Sequence, residues 1–322
     1  MILKILNSPL PNNFDSGQGA SKEISATKSG DLLSINRGIR PAPIFDFTAQ
    51  DDGSYWLWMR DLSDGVQPPW DGDQYIETAR HVGQFNNLWT EQDRPKGDWI
   101  TTDISTDRRA SVSQSIGPQV ESLTSYSDHP SVERLIEGIG LDRVLRMPGD
   151  IARIIESAHD LPRTVAHNDL HARNLFSREE NGERITYAID WASVGPGPVG
   201  VDGGSLAGAG VTWVQSEANE IEEYESQIFA AYVAGLRDSG WCDDESEVRL
   251  TYLSQFVTYI LFFPLITLVT NLPEHRRKEF FRRRLGVDDR TVVDQVSQCL
   301  HALIHLVDEG LARAEEVVSL LR

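Results

Sequence analysis

The sequence predicts an α+β fold in which a small strand-bearing part precedes a large, mainly helical one. Three observations predict it. Strand-like segments lie before residue 62, apolar spacing turns helical from Tyr75 onward, and three long amphipathic stretches close the chain. The Pro/Gly/Asp-rich connector from Asp61 to Gly72 is the expected boundary, dividing the chain into parts 1–62 and 63–322. Nothing repeats at a fixed period.

The opening MILKIL alternates as a short strand from which Lys4 projects. Residues 8–20 (SPLPNNFDSGQGA) are turn-rich and read as a loop, and Ser21 to Leu33 reads as a helix carrying Glu23. SYWLWMR, Ser54 to Arg60, is an aromatic strand. Tyr75, Ala79, Val82, Phe85 and Trp89 then recur at three- and four-residue intervals, one face of a helix. Ile151, Ile154, Ile155 and Ala158 make a shorter helix, closed before Pro162. Short β-like pieces around Leu175 and Phe176 and in ITYAID flank loops dense in polar residues. The Gly/Pro-rich GPGPVGVDGG reads as a loop, followed by helices over about Asn219–Leu236, Ser246–Val269 and Thr291–Leu321.

A chain of 322 residues buries a sizeable core, and 40% hydrophobic with 25% charged residues is ordinary for a soluble globular protein. The net charge of −19 argues against a nucleic-acid partner, which would reward a basic face. It tilts toward a cationic small-molecule partner, with solubility as the blander reading. Cys242 and Cys299 are too few for a disulfide framework and fit a reducing, cytoplasmic setting. No signal peptide is expected, because MILKIL is short and lacks a cleavage site. The apolar run Phe256 to Val269 falls short of the roughly 20 residues of a membrane span. Pro264 interrupts it, so a kinked core helix is expected there. The basic run HRRKEFFRRR, residues 275–284, reads as a solvated helix face.

The chemistry-bearing stretch is VAHNDLHARNLF, residues 165–176, followed by AIDW, residues 188–191. His167, Asp169 and Asn174 form H-x-D-x-x-x-x-N, and Asp190 ends a β-like run. Phosphoryl transfer from ATP needs a carboxylate beside the acceptor hydroxyl and oxygen ligands for the magnesium on the phosphates. An Asp and an Asn five residues apart on a tight loop can divide those tasks, with Asp190 completing the metal site. A rival reading takes His167, Asp169 and His171 as three zinc ligands.

HNDLHARN resembles the catalytic-loop signature of the aminoglycoside phosphotransferase and choline kinase superfamily. IDW resembles that superfamily's counterpart of the protein-kinase DFG motif. IDWASVGPGPVGVD, WLWMRDL and DQYIETARHVGQFN are similar to its metal-to-structural-Asp stretch, its hinge strand and its first large-lobe helix. The resemblance runs from residue 1 to about 215. It implies a protein-kinase-like two-lobe fold and an ATP- and magnesium-dependent kinase. Asp169 is then the catalytic base or the group orienting the acceptor hydroxyl, and Asn174 and Asp190 are magnesium ligands. Lys4 pairs with the α- and β-phosphates, Glu23 is its partner, and Trp58, Met59 and Arg60 supply the hinge backbone. His167 supports the loop, and Asp202 is the structural Asp, although a helix-capping Asp would look the same.

His171 stands where protein kinases usually carry a lysine, and no A-P-E segment follows Asp190, so the implied acceptor is a small molecule: an aminoglycoside, another antibiotic, an amino alcohol or a sugar. The family's ATP lobe begins with two strands and a glycine-containing loop, whereas this chain starts almost on its lysine strand. The expectation is an incomplete lobe, weak or absent activity, and an exposed strand edge. A catalytically impaired pseudokinase or small-molecule binder is therefore the competing function.

Overall fold

The computed structural model describes residues 1–6, 16–65, 70–89, 95, 97, 99, 114, 116–213, 218–260 and 289–320. It is a mixed α+β structure of small sheets and a mainly helical part, as the sequence implies. Strand β1 (Ile2–Leu6) begins it, followed by helix α1 (Ser16–Ser29). Strands β2 (Ile39–Pro41), β3 (Ile44–Ala49) and β4 (Tyr55–Met59) come next. The aromatic β4 is central in an antiparallel sheet of order β1-β4-β3, with Lys4 opposite Leu57. Leu6, Ile24 and Leu57 form a small core that glues α1 beneath this sheet. Ile2 and Ile5 are exposed on β1, which pairs with β4 alone among the described strands.

Two boundaries here depart from expectation. Residues 16–20, read as loop, belong to α1, and that helix stops at Ser29 before Gly30 at φ 77°. Leu32–Ser34 is a separate 3-10 turn. Strands β2 and β3 were not expected at all. Much of β3 faces solvent, so its sequence carries little core-facing alternation.

Helix α2 (Gly72–Asn86) starts at a capping box: Asp71 accepts from the Gln74 N–H, and Gln74 accepts from the Asp71 N–H. Short helices α3 (Gly117–Glu121) and α4 (Pro130–Leu135) lead to α5 (Leu141–Ser157). Strands β5 (Arg163–Ala166), β6 (Leu175–Glu180), β7 (Glu183–Ala188) and β8 (Gly195–Pro198) follow. β6 and β7 are a hairpin in which Glu180 opposes Glu183 across Asn181-Gly182. Both turn residues have positive φ, 54° and 83°, the pairing a two-residue hairpin favours. β2 adds to β7 in parallel, and β5 pairs with β8.

The stretch read as a Gly/Pro-rich loop is instead β8 and the start of helix α6 (Val201–Trp213). Glycine lowers helix propensity by about 1 kcal/mol per residue, which hid the helix. Helices α7 (Ala218–Asp238), α8 (Glu245–Ile260) and α9 (Asp289–Leu320) complete the fold. Arg249 of α8 reaches Glu225 of α7 and Glu309 of α9, its guanidinium 4.7 Å from the Phe229 ring centroid. This part-buried cation ties three helices together. The expected kink at Pro264 and the basic run 275–284 lie outside the described residues. No helix among those residues is long and apolar enough to cross a membrane.

His81 of α2 joins the hairpin sheet, its Nδ1 lying 2.9 Å from Thr186 Oγ1. Burial holds its pKa below 6.5, with Arg80, Arg40 and Arg184 acting the same way against Glu77. The unfolded imidazole therefore takes up a proton at higher pH than the folded one. Stability is undiminished above 6.5 and is lost as pH falls toward the lower folded value. Replacing His81 by Gln should flatten that loss when urea midpoints are compared at about pH 7.5 and about pH 5.5. An equally steep acid loss in the variant would contradict it.

Candidate active site

The segment after β5 cannot continue as a strand, because Asn168 is left-handed at φ 65°. Asn tolerates that conformation better than most residues. Asp202, in the first turn of α6, fixes the reversal. It is fully buried and accepts from the His167 N–H and the Asn168 N–H, each at 2.8 Å, and from Asn86 Nδ2 at 2.9 Å. Its oxygens serve the loop and α2, so the helix-capping alternative does not describe it. Asn86 Oδ1 in turn accepts from the Tyr232 hydroxyl, and that oxygen accepts from the Gly200 N–H. His167 is buried, with Nε2 3.0 Å from Ile189 O and its ring 4.7 Å from that of Trp191. Trp191 is itself packed against Phe85.

The β6–β7 hairpin brings the other polar residues together. Leu175 pairs with Ala188, so at the hairpin's open end Asn174 stands opposite Ile189, with Asp190 the next residue. The Ile189 N–H donates to Asn174 O at 3.0 Å. Asp190 is left-handed at φ 64°, conformational strain of the kind that concentrates at functional sites. Its Oδ1 accepts from Lys4 Nζ at 2.9 Å. Lys4 also donates to both oxygens of Glu23, at 2.9 and 2.7 Å. One lysine thus bridges α1 and the residue after β7.

Burial opposes the charge on Lys4, but Glu23 and Asp190 outweigh it and hold the ammonium pKa above its usual value. Glu23 is nearly fully buried, and burial raises its pKa despite Lys4. The two rises have different causes: burial prevails at Glu23, whereas at Lys4 two opposite charges outweigh burial.

Asn174 Nδ2 donates to Asp169 O at 3.0 Å and to Asp169 Oδ2 at 3.2 Å. Contacts thus join Glu23, Lys4 and Asp190 on one side and Asn174 and Asp169 on the other, and the Ile189 N–H bond to Asn174 O links the two groups. Because the Asn174 amide nitrogen faces Asp169, its oxygen is turned elsewhere. That oxygen and the half-exposed Asp190 carboxylate are donors that suit a hard cation such as magnesium. His167 is turned to Ile189, so His167, Asp169 and His171 do not converge as zinc ligands. Among the described residues no group of three or more His, Cys, Asp or Glu side chains could hold a metal ion.

Of the hinge positions, Trp58 and Met59 lie in β4, while Arg60 donates its N–H to Pro43 O and its guanidinium to Glu180. One neighbour of Asp169, Tyr259 of α8, escaped the sequence reading: its hydroxyl lies 3.4 Å from Oδ1. His171, considered there as a zinc ligand, instead places Nε2 3.9 Å from Oδ2. Burial holds the His171 pKa below its usual value, Asp169 opposing, so the neutral imidazole is favoured. Asn86 and Tyr232, behind Asp202, were also missed. Each sits within an ordinary amphipathic helix, with no local signal to mark it.

The profile of the phosphotransferase enzyme family (APH) matches residues 64–239. Among solved structures, an aminoglycoside phosphotransferase from Alicyclobacillus acidocaldarius has a TM-score of 0.57 at 10% identity, covering 94% of this chain and 86% of that one. Amicoumacin kinase hAmiN, in complex with AMP-PNP, Ca2+ and Ami, has a TM-score of 0.54 at 15% identity over 95% and 81% of the two chains. A microcompartment-associated aminopropanol kinase has 0.53 at 14% identity over 96% and 86%. At these identities the likeness establishes a shared fold. No protein among the curated sequences matches.

Truncating Asp202 to Ala would leave three buried N–H donors without an acceptor, at about 1–3 kcal/mol each before relaxation. The expected result is a loss of about 3 kcal/mol or more in chemical denaturation. An unchanged urea midpoint would contradict the clasp.

Proposed function

The chain belongs to the phosphotransferase enzyme family, and from that premise we propose that it transfers the γ-phosphoryl group of ATP to a hydroxyl of a small molecule. The observation that carries the proposal is the pair of contact chains, from Glu23 through Lys4 to Asp190 and from the hairpin end through Asn174 to Asp169. A cation, two amide- or carboxylate-type metal donors and an outward carboxylate are the parts phosphoryl transfer needs in one place.

Asp169 receives the proton of the acceptor hydroxyl. The hydroxyl oxygen then bonds to the γ-phosphorus as the bond to the β-phosphate oxygen breaks, and ADP leaves. Lys4 neutralises the α- and β-phosphates, and buried Glu23 keeps its ammonium charged and aimed. Asn174 and Asp190 would hold magnesium, which would offset charge on the phosphate oxygens. Asp202 and His167 are positioning residues that keep the loop turned. Trp58 and Met59 lie in the central strand, paired with β1 and β3, and the Arg60 N–H is given to Pro43. Of the hinge positions Trp58, Met59 and Arg60, it is therefore the Arg60 carbonyl that would meet the adenine. The division into a nucleotide lobe over 1–62 and an acceptor-bearing lobe over 63–322 belongs to the same proposal.

The acceptor class follows from charge and chemistry. A net charge of −19 favours a cationic acceptor. The fold neighbours include an aminoglycoside phosphotransferase and an aminopropanol kinase, whose names denote amine-bearing alcohols. We extend that class, a hydroxyl on an amine-bearing molecule, to this chain.

The test is turnover of ATP with magnesium across aminoglycosides, amino alcohols and sugars. Asp169→Asn should lower kcat by about a hundredfold or more, while magnesium-ATP still raises the melting temperature. A variant as fast as the wild type would overturn the role of Asp169. A wild-type protein that magnesium-ATP does not stabilise would overturn nucleotide binding altogether.

A further inference from the structure

Asp169 presents two carboxylate oxygens with different surroundings. Oδ2 is taken by Asn174 Nδ2 at 3.2 Å, and the same nitrogen holds the backbone oxygen of Asp169 at 3.0 Å. The carboxylate is therefore clamped by one edge, with Oδ1 on the other. There the Tyr259 hydroxyl stands at 3.4 Å. That is longer than the roughly 2.5–3.0 Å of an ordinary O–H···O bond. The contact is too long to saturate either group, and an acceptor oxygen at about 2.7 Å from both, at an ordinary angle, would need the phenol to swing about 1 Å aside.

The position of Tyr259 is imposed by helix packing. Gly200, just before α6, and Gly204 and Gly208 within it stand at four-residue intervals and face α8. A Cβ on Gly204 would lie 2.2 Å from Tyr252 O, and one on Gly208 would lie 2.8 Å from the Cβ of Tyr259 and 3.0 Å from Phe256 O. The two helices can touch this closely only because those side chains are missing. Asp202, which grips the His167 and Asn168 amides, is on the same α6. One helix therefore sets both the loop bearing Asp169 and the helix bearing Tyr259, fixing the gap between them.

We infer that Tyr259 is a further residue of the transfer reaction, whose phenol hydroxyl and Asp169 Oδ1 together hold the acceptor hydroxyl from two sides. This rests on the phosphotransferase reading above and adds the acceptor-side partner that reading lacks. The phenol donates to the acceptor oxygen while that oxygen's own proton points to Asp169. The oxygen thus keeps a lone pair directed away from both, toward the phosphorus. Tyr259 exchanges no proton over the cycle and acts by orientation.

The experiment compares wild type, Tyr259→Phe and Asp169→Asn with magnesium-ATP and, separately, ethanolamine, 1-amino-2-propanol, kanamycin and water as acceptors. Tyr259→Phe keeps the ring and removes only the hydroxyl. Its kcat/KM for the acceptor should fall about fivefold to tenfold, the worth of one neutral hydrogen bond. Its KM for ATP and its stabilisation by magnesium-ATP should match wild type, which a merely structural defect would not leave intact. Wild-type acceptor kinetics in Tyr259→Phe, with turnover abolished in Asp169→Asn, would overturn the role of Tyr259 alone. No wild-type turnover with any acceptor or water would overturn this inference and the phosphotransferase reading together.

Discussion

A buried carboxylate holding two consecutive backbone amides is the constraint on which the rest of the site depends. Asp202 has no exposed surface, yet it accepts three N–H donors from two elements. A charge withdrawn from water is expensive unless its oxygens are occupied, and here the donors that occupy them are the ones that turn the loop. Asn168 stays left-handed, at a cost of about 1–2 kcal/mol, because its N–H is held. That grip sets the direction in which Asp169, the next residue, leaves the strand, and Asn174 then holds its carboxylate.

The charged side of the site is arranged by a second economy of contacts. Lys4 stands between buried Glu23 and half-exposed Asp190. The first carboxylate is fixed under the sheet, whereas the second lies at a hairpin end open to solvent. In the proposed reaction the Lys4–Glu23 pair is the permanent one, and Asp190 is the partner shared with whatever cation and phosphates arrive. The unequal burial of the two carboxylates makes that division possible.

How much of this could be read in the sequence depends on the distance along the chain. Asp169 and Asn174 are five residues apart, so their place on one tight loop was legible from spacing, though not the bonds between them. Lys4 and Glu23 lie on consecutive elements, so their pairing was also within reach. The β6–β7 hairpin had a signal that went unused: Asn181-Gly182 between two β-like pieces would have predicted that Asn174 and Asp190 emerge at the same end. Helix α6 was hidden because its glycines serve contact with α8 and lower local propensity. Tyr259 lies ninety positions beyond Asp169, inside an apolar run, and only tertiary packing distinguishes it from its neighbours.

The central claim is that Asn174 and Asp190 present oxygens to a divalent ion that is held jointly with nucleotide phosphates. Manganese can replace magnesium as a probe, and its free concentration can be followed by electron paramagnetic resonance. The account predicts one manganese ion bound per chain when ATP is present, with that binding lost in Asp190→Asn while the protein stays folded. Undiminished manganese-ATP binding in Asp190→Asn, or none in the wild type, would contradict it.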